Sequence, residues 1–148
     1  MKSMTKVSVK GILAGGITDV GLTMILGMPL AIYATLEVAL AHTPKDHMHS
    51  AVAAIMHRPA IFATGMLIGF GCSVLGGYVA ARLAKHDELL NGCLSAFLCV
   101  ASGIWVATTH QNSDPIWQQI IELVASPILG LLGGYLRLRQ KRPASLPA

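Results

Sequence analysis

Ala60–Leu83, AIFATGMLIGFGCSVLGGYVAARL, carries no charge before Arg82. At 1.5 Å per residue a helix of that length reaches about 36 Å, enough to cross the ~30 Å hydrocarbon core of a bilayer. Hydrocarbon offers backbone amides no partner, so such a run must be a helix that pairs its own amides. Three more runs of the same kind flank it, at about 11–36, 89–108 and 116–136. The reading is all-α: an integral membrane four-helix bundle forming a single transmembrane domain over 1–148.

Composition agrees. Hydrophobic residues make up 53% of the chain and charged residues only 12%, about half the charged share of soluble domains. A water-soluble fold would lack polar surface. The net charge of +4 would suit nucleic acid if it were spread over one face. Instead the basic residues cluster at span ends, so the expected surroundings are a lipid bilayer and no nucleic acid.

Lysines and arginines also set the orientation. Lys2, Lys6, Lys10, Arg82, Lys85, Arg137, Arg139, Lys141 and Arg142 fall on one side of the four spans, and only Lys45 and Arg58 on the other. Both termini are therefore expected in the cytoplasm, with the long 37–59 connection outside. Trp105 and Trp117 then sit at the outer interface, and Tyr78 and Tyr135 towards the inner one. The first apolar run, about 26 residues, exceeds the 7–15 of a signal-peptide core. It reads as a retained anchor, although Ala39-Leu40-Ala41 looks like a cleavage site.

Small residues mark the packing faces. Gly65, Gly69, Gly76 and Gly77 line one stripe with Cys72, Ser73, Ala80 and Ala84, and Gly130 and Gly134 lie on another with Ser126 and Gly133. Lipid tails are as apolar as leucine, so helices associate through close backbone approach. These stripes predict a tight bundle, a homo-oligomer, or contact with another membrane protein. Leu75-Gly76-Gly77-Tyr78 is echoed by Leu132-Gly133-Gly134-Tyr135, which raises a parallel repeat of two helical hairpins.

The Gly76-Gly77-Tyr78-Val79-Ala80-Ala81-Arg82 stretch, with Asn91-Gly92 opening the next span, resembles small four-helix bacterial inner-membrane proteins of uncharacterised families. The resemblance covers about residues 65–105. It implies a multi-pass protein of the bacterial cytoplasmic membrane and carries no activity or site residues.

Chemistry rests on few side chains. Asp19 lies about 12 Å along the first helix from Gly11, with Gly15 and Thr23 on the same face. A carboxyl group at such depth costs about 2.5–3.5 kcal/mol by insertion scales. It reads either as an ion- or proton-binding group or as a hydrogen-bonding clasp between helices. Glu122, four residues before Ser126, is placed on the bundle side of the last span. It either joins Asp19 along one polar path or reaches back to the interface. The outer connection holds His42, His47, His49 and His57. The first three are candidate Zn or Cu ligands, with a solvated loop as the alternative. Met48, Val52, Ile55 and Met56 fall at helical spacing, which predicts a short interfacial helix over 48–57.

Cys72, Cys93 and Cys99 lie within spans and form no paired framework. Pro29 and Pro127 are expected to kink their helices. No catalytic triad or cofactor motif occurs, so neither an enzyme nor a cofactor is expected. The favoured function is a non-enzymatic accessory or self-associating membrane subunit, and the alternative is a small channel or transporter for a proton, ion or small solute using Asp19 and Glu122.

Overall fold

A computed structural model describes residues 7–109 and 116–141. Lys2, Lys6 and Arg142, invoked above, lie outside the described residues. The elements are α1 (Val9–Leu40), a single 3-10 turn (Lys45–His47), α2 (Met48–Met56), α3 (Pro59–Ala84), α4 (Glu88–Thr108) and α5 (Ile116–Lys141). Helices α1, α3, α4 and α5 are each long and apolar enough to cross a membrane.

The helix limits follow from local chemistry. Ser8 caps α1, its hydroxyl accepting from Gly11 N at 3.2 Å, which satisfies one of the orphan amides of the first turn. Pro59 occupies the first turn of α3, where its missing N–H costs nothing. Lys85 ends that helix in a left-handed conformation (φ 60°). Two helices outrun their expected spans. Helix α1 continues past Glu37 to Leu40, and α5 past Leu136 to Lys141, because a charge ends an apolar run without ending a helix. Pro29 and Pro127 lie inside helices that remain continuous.

The short helix over 48–57 is present as α2. Its Ile55 packs on Ala34 and Val38 of α1, with Met48, Val52 and Met56 around it. Arg58 pairs with Glu37 at 2.7 Å and ties the start of α3 to the far end of α1. That end is called the loop end here. The opposite end gathers Ser8, Lys85, Glu88, Asn91 and Lys141, and is called the basic end.

Burial is inverted relative to a water-soluble domain. The largest fully buried side chains are Asn91, Cys72 and Ser95. Leu67, Met24, Trp105 and Ile116 are each about 70% exposed or more (73%, 69%, 71% and 76%). Burying alanines and glycines removes little apolar area from water, so the hydrophobic effect could not hold this bundle together in solution. Close packing of small faces under a shell of large apolar side chains suits hydrocarbon.

Helices α3 and α4 form the middle of the bundle. Each packs against the other and against both α1 and α5, whereas α1 and α5 make no Cα approach within 8 Å. The glycine echo does not show a repeat. A twofold relation between hairpins would make the α3–α4 and α1–α5 pairs equivalent, and only the first pair packs. The echoed positions also differ in role: Gly76 meets α1, while Gly133 meets α3.

Candidate functional site

The separation of α1 and α5 leaves a crevice, and it holds most of the buried polar chemistry of the loop-end half. One cavity of about 300 Å³ runs down from Met56, His57 and Phe62 at the loop end. Its floor carries Asp19, Ser73, Cys99 and Ser126. A second space of about 500 Å³ lies between α1, α4 and α5. Thr23, Cys99, Glu122 and Ser126 line both.

Asp19 is 2% exposed and lies ten residues, about 15 Å, from the start of α1. Ser73 is eleven residues from the end of α3, hence at nearly the same height. Its hydroxyl donates to the Asp19 carboxyl, 3.2 Å from one oxygen and 3.1 Å from the other. Cys99 of α4 lines the same cavity as Asp19. The Ser126 hydroxyl in turn meets Cys99 Sγ at 3.9 Å. Four helices thus converge on one polar level at mid-height.

Glu122 sits one turn above Ser126 on α5, and Gln118 one turn above Glu122. Gln118 Nε2 donates to Glu122 Oε1 at 3.1 Å. Glu122 is exposed, but to the crevice whose two cavities it lines. Among the described residues the two carboxyl groups do not hydrogen-bond each other. The structure brings Asp19 and Glu122 to one cavity at different heights, with Cys99 and Ser126 on the same lining. At the mouth, Phe62 pairs with His57 and Trp117, each ring centroid 6.3 Å away.

Glycines seal the opposite direction. A methyl group at Gly76 would stand 2.7 Å from the Gly15 carbonyl oxygen and 2.8 Å from Asp19 Cβ. Gly77 is pressed against the Gly130 backbone, Gly133 against Val74 and Tyr78, and Gly134 against Glu88. Gly65 and Gly69, expected to pack helices, do not: only Leu30 Cδ1, at 4.0 Å, approaches Gly65, and nothing lies within 4 Å of Gly69. They line the cavity instead, because α2 and α5 leave this upper face of α3 uncovered.

The loop histidines stay apart. His42 Nδ1 lies 3.0 Å from the Leu40 carbonyl. Among the described residues no three His, Cys, Asp or Glu side chains form a group fit to hold a metal ion. The turn and α2 distribute His42, His47 and His49 over an exposed surface, and they form no such group.

Residues outside the sequence expectations complete the picture. Asn91 is fully buried at the basic end. Its Oδ1 accepts from Ser8 N at 2.8 Å, and its Nδ2 donates to the His86 and Asp87 carbonyls, each at 3.0 Å. Lys141 Nζ donates to the Lys85 carbonyl at 2.9 Å and pairs with Glu88. Gln118 is the missed residue of the crevice. The signal for it was its spacing, four residues before Glu122 on the same face.

No protein family, curated protein or solved structure matches this chain. The functional reading therefore rests on the sequence and the geometry.

Proposed function

We propose that this chain is a multi-pass protein of the bacterial cytoplasmic membrane that binds and passes a small solute or ion through the crevice between α1 and α5. Both termini face the cytoplasm in this reading, and Asp19 and Glu122 are the recognising groups. No bond-making chemistry is assigned to it. One observation carries the reading: a buried carboxyl group at mid-height forms the floor of a cavity that a second acidic side chain also lines. Ionisable groups within spans are costly and mark ion or solute pathways far more often than surface charges do. The charge bias supports the orientation, with Lys10, Arg82, Lys85, Arg137, Arg139 and Lys141 at the basic end against Lys45 and Arg58 at the loop end. The resemblance around Gly76–Arg82 supports the location.

The test is flux in proteoliposomes, comparing the parent chain with Asp19→Asn. The variant keeps the size of the side chain and can still bond Ser73. The expected result is flux in the parent, lost in a variant that melts at the same temperature. A parent without flux of any monovalent cation or small amine removes the reading.

A self-associating or accessory subunit is the second reading. It is favoured by Gly21, Gly27 and Gly103, which have no atom within 4 Å of an added methyl and leave room for a neighbouring helix. Purification from native membranes in mild detergent distinguishes it: a stoichiometric companion or a defined homo-oligomer supports it.

A further inference from the structure

We infer that the ion taken up at Asp19 is a proton, supplied from the loop end and barred from the basic end by the contact between Gly15 and Gly76. The inference rests on the ion- or solute-binding reading above and names the ion. It starts from a charge without a counter-charge. Asp19 is 2% exposed, and an ionised carboxyl group in buried, apolar surroundings needs a positive partner. The chain supplies none nearby. Along α1 the nearest cation is Lys10, nine residues from Asp19; along α3 it is Arg82, nine residues from Ser73. Each stands about 14 Å away along its helix axis. The other titratable groups on the cavity wall are Cys99 of α4, Glu122 of α5 and His57 at the mouth. His57 lies beyond Pro59, which is fourteen residues before Ser73, or about 21 Å along α3.

The partner therefore comes from outside, and a proton fits where a metal ion does not. One side-chain oxygen, the Ser73 hydroxyl, is within hydrogen-bond reach of the carboxyl group. Hard metal cations gather about six oxygens, and transporters that hold sodium at mid-membrane borrow carbonyls from unwound helices. Here α1 runs unbroken through Asp19 and α3 through Ser73, so those carbonyls stay in helical bonds. At 2% exposure the group has no room for a hydration shell. A proton needs neither room nor further ligands, only a lone pair. Uptake makes one O–H bond on a carboxyl oxygen and leaves a neutral group, which can donate to Ser73 Oγ. Release returns the proton to solvent at the loop end and restores a carboxylate that accepts from the same hydroxyl. Ser73 thus serves both states by rotating its O–H, with no movement of either helix.

Access is one-sided. From Asp19 towards the loop end lies the cavity of about 300 Å³, with Thr23, Ser126 and Glu122 on its wall. Towards the basic end, Gly76 lies against the Gly15 carbonyl and Asp19 Cβ, and Gly15 against Ala80 and Ser95. Backbone meets backbone there. A proton loaded from the loop end leaves by the same side unless α1 and α3 part at this contact.

The test is infrared difference spectroscopy on the full chain in proteoliposomes, under the conditions of the flux assay, with protons and sodium as probes. The expected result is a protonated-carboxyl C=O band that shifts in heavy water, persists in Glu122→Gln and is lost in Asp19→Asn. Carbon-13-labelled aspartate should shift the same band in the parent, so the assignment does not depend on the variant folding. Replacing choline by sodium should leave the band unchanged. After a pH jump, Gly69→Leu, which obstructs the loop-end cavity, should slow the change in the band several-fold. Ser95→Ala, on the basic side, should not.

The inference is overturned if the folded parent shows no aspartic C=O band, or if sodium removes it. A Gly69→Leu variant that takes up protons at the parent's rate overturns it too. Flux of sodium, potassium or a small amine without the band would sink this inference alone. A parent with neither the band nor any flux would sink the ion- or solute-binding reading with it.

Discussion

The two halves of this bundle use the same residue types to opposite ends. At the basic end, Gly15, Gly76, Gly77, Gly130, Gly133 and Gly134 are each pressed against the backbone of a neighbouring helix. At the loop end, Gly65, Gly69, Gly27 and Gly103 meet almost nothing. One half is a closed seam and the other an open cup. The same glycine-bearing stripe of α3 runs through both. What differs is whether α1 and α5 come in to meet it. A small-residue stripe therefore defines a face that permits close approach without specifying what approaches.

The largest effect should come from filling the seam. Gly133→Ala puts a methyl group into the Val74 carbonyl and the backbone around Gly77 and Tyr78, atoms that cannot rotate away. Overpacking of this kind costs about 1–3 kcal/mol. Unfolding in mixed micelles should show the loss, with the α3–α5 pair separating first. Unchanged stability would mean that the two helices are not in contact at this point.

Next is the polar lock below the seam. Asn91→Ala removes the side-chain partner of Ser8 N and of the His86 carbonyl, while the Asp87 carbonyl keeps the backbone N–H of residue 91, and the site is fully buried. A cost of about 1–3 kcal/mol follows from the groups left unmet. Hydrogen exchange should speed up at the start of α1 while the loop end keeps its rate. Equal loosening of both ends would erase the distinction between the halves.

A smaller effect is expected from the pair at the rim. Glu88→Gln removes the charged partner of Lys141, which keeps its bond to the Lys85 carbonyl and whose side chain is 37% exposed against 9% for Glu88. The lysine can return to water, so the cost should stay near 0.5–1 kcal/mol. It should also shrink as salt is raised, because the lysine is within reach of screening ions. A salt-independent loss of several kcal/mol would show the pair to be sealed from water.

How much of this was legible before the structure differs in the same way between the halves. Spans were readable because a run such as Ala60–Leu83 allows only one backbone solution in lipid. Their ends were less so: Glu37 and Arg137 close the apolar runs, yet α1 and α5 continue, and their extensions carry the Arg58 and Lys141 contacts. Asp19 and Glu122 stood out as charges in apolar context. Ser73 was visible only as one more small residue, because nothing in its spacing says that a carboxyl group faces it from 54 residues away. Gln118 was missed since an uncharged amide near a span end is ordinary, and its meaning depends on burial. Above all, the pairing of faces was unreadable. Periodicity shows that four helices each own a small-residue side, and leaves open which two of them stay apart.

The smallest expected effect sharpens the comparison most. Gly69→Ala lies on the same stripe as Gly76, about 10 Å nearer the loop end, and no atom lies within 4 Å of the added methyl group. Helix propensity alone predicts a change between zero and a gain of about 1 kcal/mol. If the upper stripe lines a cavity, Gly69→Ala melts no lower than the parent, and larger side chains there cost little stability while obstructing the cavity. If the upper stripe is instead buried against a second copy of the chain, even the alanine should weaken assembly, and bulkier residues should abolish it. Melting temperature and oligomer size, measured together on Gly69→Ala and Gly69→Leu, therefore decide between an open cup and a covered one. A loss at Gly69 as large as that at Gly133 would make the two halves alike.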